Sequence, residues 1–377
     1  MGEYDRHHFV PQFYLRRFAV DAQQRQIGLY LIEKNKLIPS TSIRDQAQRR
    51  KLYGGDRHEK EMSKLEGAAA SVIRTIVEQR QVPKWVSADH HLLMTYVLFQ
   101  AHRTPTAAKE TERANVQLIK KIMSYHAPLA PHIDQIEVTM RDPVGEALSM
   151  AAVSLPLAMD LRCKLLINRS NTPFLTSDHP VILYNQFMER RHKFGSGTGL
   201  ACKGLQMFLP LSPDVCLMLF DYDVYKVGGR STTSVQVDAT AEDVEGLNQL
   251  QIANAGNQLY FNARMTEREL TRLVEAAIPL RRAERSSVTA YPGPSYPNGK
   301  SSTLLHIGKT DLKAGLHLTK VCELRLAQEY RIGNRVVHQR DPTLCRLHEE
   351  FLDKVGARQY SASEFGKFMR EKPEGQI

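Results

Sequence analysis

A chain of 377 residues with 42% hydrophobic content can bury a sizeable core, and a formal net charge of +10 draws polyanions, so nucleic acid, a nucleotide or an acidic partner is expected. No run of about 18 apolar residues occurs and no apolar stretch follows the polar opening, which argues against a membrane span or an export signal and leads to the expectation of a cytoplasmic protein without membrane contact. Five scattered cysteines, Cys163, Cys202, Cys216, Cys322 and Cys345, form no C-x-x-C pair and point to free thiols rather than a disulfide framework or a zinc knuckle.

The opening Arg6-His7-His8-Phe9-Val10-Pro11-Gln12-Phe13-Tyr14-Leu15-Arg16-Arg17-Phe18 carries four aromatic rings, each able to bury about 150–250 Å². It is therefore expected to dock inward, as a structural plug or as one wall of a polar site. Alternation over residues 27–32 predicts a strand, with a turn at 33–36 and a return at 37–38. Spacings of three and four from Glu59 through Gln81 predict a helix ended by Pro83, and a second helix starts after Ser87 and runs towards Arg103-Thr104-Pro105. Helix resumes beyond Pro105 to about Tyr125, and another over 145–161 is apolar on most sides and so expected to be central.

Strands are predicted at 163–167 and 174–176 around an Asn-Arg-Ser-Asn turn, then at 181–184, 206–211 and 215–220, the last two joined by Ser212-Pro213-Asp214. Residues 188–204, with Gly195-Ser196-Gly197-Thr198-Gly199, are expected to be a basic, flexible loop. Helices over 241–255 and 266–282 flank a short strand at 258–261. Residues 287–302 are too rich in Pro and Gly for a regular element and divide a main domain, 1–286, from a C-terminal extension, 303–377. The extension shows strands at 303–307 and near 316–326, then helical patterning. The fold class that follows is α+β, a helical layer packed on a mainly antiparallel sheet assembled from 163–262, with a smaller C-terminal extension.

Three groups of residues could carry chemistry. His8 could act as general acid, general base or phosphate partner, or cap a loop. Gln12, Tyr14 and Arg16 share its face if the segment is extended, and Gln12 and Arg16 still do if it is helical, forming donors for an anion. In Thr176-Ser177-Asp178-His179-Pro180, the proline presents Ser177 and Asp178 at a strand end, where Asp178 could bind a metal, orient His8 or cap the turn. Arg103 could grip a phosphate or answer its helix's carbonyl dipole, with Glu66 as its ion-pair partner or a metal-ligand candidate. No phosphate-binding glycine fingerprint, H-E-x-x-H or G-x-S-x-G is present.

The opening motif, Arg103-Thr104-Pro105, Thr176-Ser177-Asp178-His179-Pro180-Val181, Pro210-Leu211-Ser212-Pro213 and Asn248 together resemble the domain of unknown function 4238 family over roughly residues 6–262. His179 stands where the family pattern has Asn, which favours Asp178 over His179 as a catalytic group. The resemblance implies a set of positions and no established activity.

Two functions remain open. The first is a hydrolase of phosphodiester or nucleotide substrates: His8 as acid or base, Gln12, Tyr14, Arg16 and Ser177 on the substrate, Arg103 on developing charge, and Asp178 with Glu66 holding His8 or a divalent ion such as Mg²⁺ or Mn²⁺. The second is a non-catalytic module that binds an anion or nucleic acid with the same residues.

Overall fold

Burial of the opening segment sets the architecture. The computed structural model describes residues 6–50, 52, 56–191, 196–228, 234–295, 301–330, 339–362 and 364–372. Strand β1 (Arg6–His8) leads through Pro11 into a single helical turn, α1 (Gln12–Leu15), and a 3-10 turn over Arg16–Phe18. Val10, Tyr14, Leu15 and Phe18 are wholly buried, as their composition requires. The expected hairpin forms from β2 (Gln26–Leu31) and β3 (Lys36–Ser42), and β4 (Gln48–Arg50) returns to pair antiparallel with β1.

The helical layer follows. The stripe Met62, Ala69, Val72, Ile73 and Ile76 buries one face of α2 (Asp56–Gln79). Helix α3 (Ala88–His102) is capped by Ser87, whose hydroxyl accepts from the His90 amide at 3.2 Å, and α4 (Pro105–Ser124) by Thr104 in the same way. Helix α5 (Pro143–Ser154) ends earlier than its apolar composition suggested, because Leu155–Ala158 tightens into a 3-10 turn around Pro156. It is not central either: Val144, Ala147, Leu148 and Ala151 pack inward while Met150 is exposed.

Strands β5 (Arg162–Asn168) and β6 (Thr176–Ser177) flank the Asn-Arg-Ser-Asn turn without pairing across it. They enter different sheets. After β7 (Ile182–Tyr184) and a short α6 (Gln186–Arg191) comes the expected hairpin of β8 (Gln206–Ser212) and β9 (Val215–Phe220). Then follow β10 (Tyr225–Val227), β11 (Gln236–Ala239), α7 (Ala241–Asn254), β12 (Gln258–Phe261) and α8 (Glu267–Ala277). The single sheet expected from 163–262 is thus two: a five-stranded sheet ordered β11-β5-β9-β8-β7, parallel only at β11–β5, and a four-stranded one ordered β3-β2-β12-β6. The fold is α+β with mainly antiparallel sheets.

Both faces of the five-stranded sheet are covered, and the two-residue period of its strands shows how. Leu165, Ile167, Met207, Leu209, Leu217 and Leu219 enter the core shared with the N-terminal segment and α2–α5. Leu166, Phe208, Cys216, Met218 and Phe220 enter a second core beneath α7. Leu312, Leu316, Leu318 and Ala327 belong to that second core, so the stretch after residue 303 is stitched into the sheet's packing.

The Pro/Gly-rich stretch is more regular than its composition implied. β13 (Ser286–Ser295) pairs antiparallel with β14 (Ser301–Lys309), with a register shift between Pro292 and Ser295. A two-stranded ribbon leaves each strand an outer edge where a missing amide costs no ladder bond, so Pro292 and Pro294 are tolerated. The chain continues through β15 (Val321–Glu323), which pairs with β10, and α9 (Arg325–Gln328), α10 (Pro342–Gly356) and α11 (Phe365–Arg370). The described part of the expected flexible loop is pinned: Asp311 accepts from the Gly197 amide at 2.6 Å and from the hydroxyls of Thr198 at 2.7 Å and Ser196 at 3.1 Å. Gly195 lies outside the described residues.

Candidate functional site

The turn from β1 into α1 brings His8, Gln12 and Arg16 into line. Gln12 Nε2 lies 3.4 Å from His8 Nε2, and Arg16 Nη2 donates to Gln12 Oε1 at 3.2 Å. His8 Nε2 also meets the Arg44 carbonyl at 3.0 Å. A carbonyl only accepts, so the ring proton sits on Nε2 and Nδ1 is the basic nitrogen. Burial pushes the His8 pKa down, against the fields of Glu66 and Asp45 and with that of Arg103, so the imidazole is neutral at neutral pH.

The adjacent His7 is the more deeply buried of the pair, its Nε2 2.8 Å from Glu59 Oε2. Exposed arginines flank half-buried His8 in the ribbon and its turns: Arg6, Arg16, Arg44 and Arg50, while exposed Arg49 stands opposite His7. The β1–β4 register sets Arg6 opposite Arg50 and His8 opposite Gln48, and Asp45 is 3.6 Å from Arg6.

Tyr14 leaves that face. Its wholly buried hydroxyl meets Thr176 Oγ1 at 2.7 Å and donates to the Pro210 carbonyl, which removes it from any substrate and makes it a joint between α1, β6 and β8. Arg103 is likewise turned inward. It donates to the Phe9 carbonyl at 3.0 Å, the His8 carbonyl at 2.6 Å and Glu66 Oε1 at 2.6 Å, and Gln100 donates to Phe9 O at 2.9 Å. Of the two roles posed for Glu66, the structure holds the ion pair with Arg103.

No described contact joins Asp178 to His8. Its carboxylate accepts from the amides of Gly256 at 2.7 Å, Asn257 at 2.8 Å and Gln258 at 3.0 Å, the turn that follows α7. Burial pushes its pKa up, opposed by those three amides and by Arg285. A Cβ on Gly256 would stand 2.8 Å from Asp178 Oδ2 and 2.6 Å from Thr106 Oγ1, so only glycine admits this approach. Ser177 is buried, its hydroxyl accepting from Gln251 Nε2 at 2.6 Å and from the His179 amide at 3.1 Å. The turn is therefore a cap and not an open strand end.

A basic group that sequence reasoning missed surrounds His179. Its Nδ1 is 2.7 Å from Thr104 Oγ1, and burial with the fields of Arg285, Lys309, Arg282 and His102 holds its pKa well below the usual imidazole range. His102 is pushed down to about 4 by burial and Lys309, and its Nδ1 donates to the Leu98 carbonyl at 2.8 Å. Arg281 donates to the carbonyls of Ile252 and Gly256, and Arg285 to those of Asn254 and Ala255. These guanidiniums answer the carbonyl end of α7, which explains why they gather here. The signal was present as Arg281-Arg282 and Arg285 at a helix end, without any cue to its target.

Among the described residues no group of three or more His, Cys, Asp or Glu side chains is arranged to hold a metal ion. No described helix is long and apolar enough to cross a membrane. A family model described as Protein of unknown function (DUF4238) matches residues 6–265. No curated protein and no solved structure matches the chain.

Proposed function

The chain belongs to the DUF4238 family of proteins of unknown function, and from that premise we propose that it binds nucleic acid through the β1–β4 ribbon and the arginines around His8. The observation that carries this reading is the ribbon's register. Arg6 faces Arg50 across the β1–β4 pair, with exposed Arg44 and Arg16 near them, which gathers positive charge at the ribbon. A phosphate backbone is drawn to such a cluster and releases counterions on binding it. The Gln12 amide adds a neutral donor at the edge of the patch, suited to phosphate oxygens.

The test is fluorescence anisotropy with labelled single-stranded and duplex DNA and RNA across a salt series. Binding is expected to weaken with salt, and Arg16→Ala with Arg50→Ala to reduce the logarithmic salt slope by about 1 per lost phosphate contact. Affinity indifferent to both substitutions in a folded protein would sink the proposal.

A second reading, phosphodiester hydrolysis, draws on one observation: a neutral imidazole with its basic Nδ1, in the field of Glu66. In that case the same nucleic acids would be cleaved, with Mg²⁺ or Mn²⁺ supplied, and His8→Ala would abolish turnover while leaving binding in place.

A further inference from the structure

A cavity of about 470 Å³ opens between the α2–α3 connection, the start of β5 and the β9–β10 turn, and no residue of the N-terminal ribbon lines it. Its wall carries Trp85, the single tryptophan of the chain, which is 46% exposed. An exposed tryptophan forgoes a large burial, so its position calls for a reason. The Arg162 guanidinium lies 3.6 Å from the Trp85 ring centroid and 5.0 Å from that of Tyr222, itself 48% exposed. This cation stacked on two aromatic rings leaves open ring surface beside the cavity.

Two further features point to a ligand. His90 lines the cavity, is only 1% exposed, and neither of its ring nitrogens has a hydrogen-bond partner among the described residues. A buried neutral imidazole presents one donor and one acceptor, and leaving both unmet is costly. The cations Arg162, Lys164 and Lys226 also line the cavity, and no carboxylate is among its described lining residues. Lys164 donates to the Ser234 carbonyl, which steadies it at the rim.

We propose that this cavity binds a nucleoside phosphate: the base stacks on the aromatic wall formed by Trp85 and Tyr222, its edge meets His90, and Arg162, Lys164 and Lys226 hold the phosphate. A planar heteroaromatic edge supplies a donor or an acceptor to one imidazole nitrogen, the rings take its face, and the cationic wall takes the anion. The volume lies within the range of small-molecule sites, about 300–1,000 Å³. The proposal is independent of the ribbon, since it shares no residue with it.

Trp85 reports directly on occupancy, because all tryptophan emission comes from this wall. Full-length protein is titrated with AMP, GMP, CMP and UMP, with adenosine and with inorganic phosphate, following emission and heat in parallel. Saturable binding of at least one nucleotide is expected, tighter than for adenosine or phosphate alone. Lys226→Ala and Tyr222→Ala, both at exposed positions, are each expected to weaken it by about tenfold, the loss of one charge-assisted bond or one stacking face. No saturable heat or emission change with any nucleotide at millimolar concentration overturns the proposal. So does phosphate binding as tightly as the nucleotides, or affinity unchanged in both variants while circular dichroism matches the parent.

Discussion

At the scale of single residues, the histidines separate by environment. His102 is half-buried at the end of α3, donates through Nδ1 to Leu98, and has its pKa held at about 4 by burial and Lys309. Its ordinary value is about 6.5, so the unfolded chain takes up a proton between pH 6.5 and 4 that the folded chain does not. Stability is therefore fully present above pH 6.5 and lost as pH falls through this window, at about 2 kcal/mol between pH 6.5 and 5 for this one group. His179, held still lower, adds to the loss in the same direction. Urea unfolding at pH 7 and pH 5 checks it: the wild type should lose more stability than His102→Gln over that interval, and equal losses would refute the assignment.

Between elements, the residues that carried the family resemblance turn out to hold one another. Arg103 at the end of α3 grips the carbonyls of His8 and Phe9, Tyr14 joins α1 to Thr176 and Pro210, Thr104 meets His179, and Asn248 accepts from the Leu175 amide and donates to the Pro173 carbonyl. Motifs far apart in the chain thus become one polar seam, which accounts for their composition without a reaction. The seam's strongest member is Arg103, fully buried with Glu66 as its ion partner. Removing one side of a buried ion pair strands the other and costs about 3–5 kcal/mol. Arg103→Ala should therefore lower the unfolding free energy by that amount, with Arg103→Lys recovering only part because an ammonium lacks the guanidinium fork. A loss under about 1 kcal/mol in denaturant titration would show that the clamp is dispensable.

For the whole molecule, the five-stranded sheet is insulated by two cores, and residues after β14 complete the second together with α7. Leu312, Leu316 and Leu318 are each almost fully buried there, and each contributes about 1.5–3 kcal/mol. That sum is comparable to the total stability of a typical domain, about 5–15 kcal/mol. A chain ending at Thr310 should consequently lose cooperative thermal unfolding and bind a hydrophobic dye. A sharp transition close to that of the full chain would show that the C-terminal stretch is an accessory.

Much of this architecture was legible because it rests on local physics. Periodicity alone placed β2, the β8–β9 hairpin, α2 and β12, and Ser87 announced its helix through its capping hydroxyl. The inward docking of residues 6–18 followed from the burial its aromatic rings demand. What sequence could not decide was which partner each polar group takes, since a hydrogen bond between residues 14 and 176 leaves no trace in spacing. Asp178, Ser177, Tyr14 and Arg103 all read as plausible site residues and all spend their polar atoms inside the fold, whereas His90, Trp85 and Arg162 drew no notice until three separate stretches met around one cavity. Elements are set by interactions between near neighbours, and the sequence by itself determined most of those. Sites are set by long-range juxtaposition and desolvation, which exist only once the chain has closed on itself.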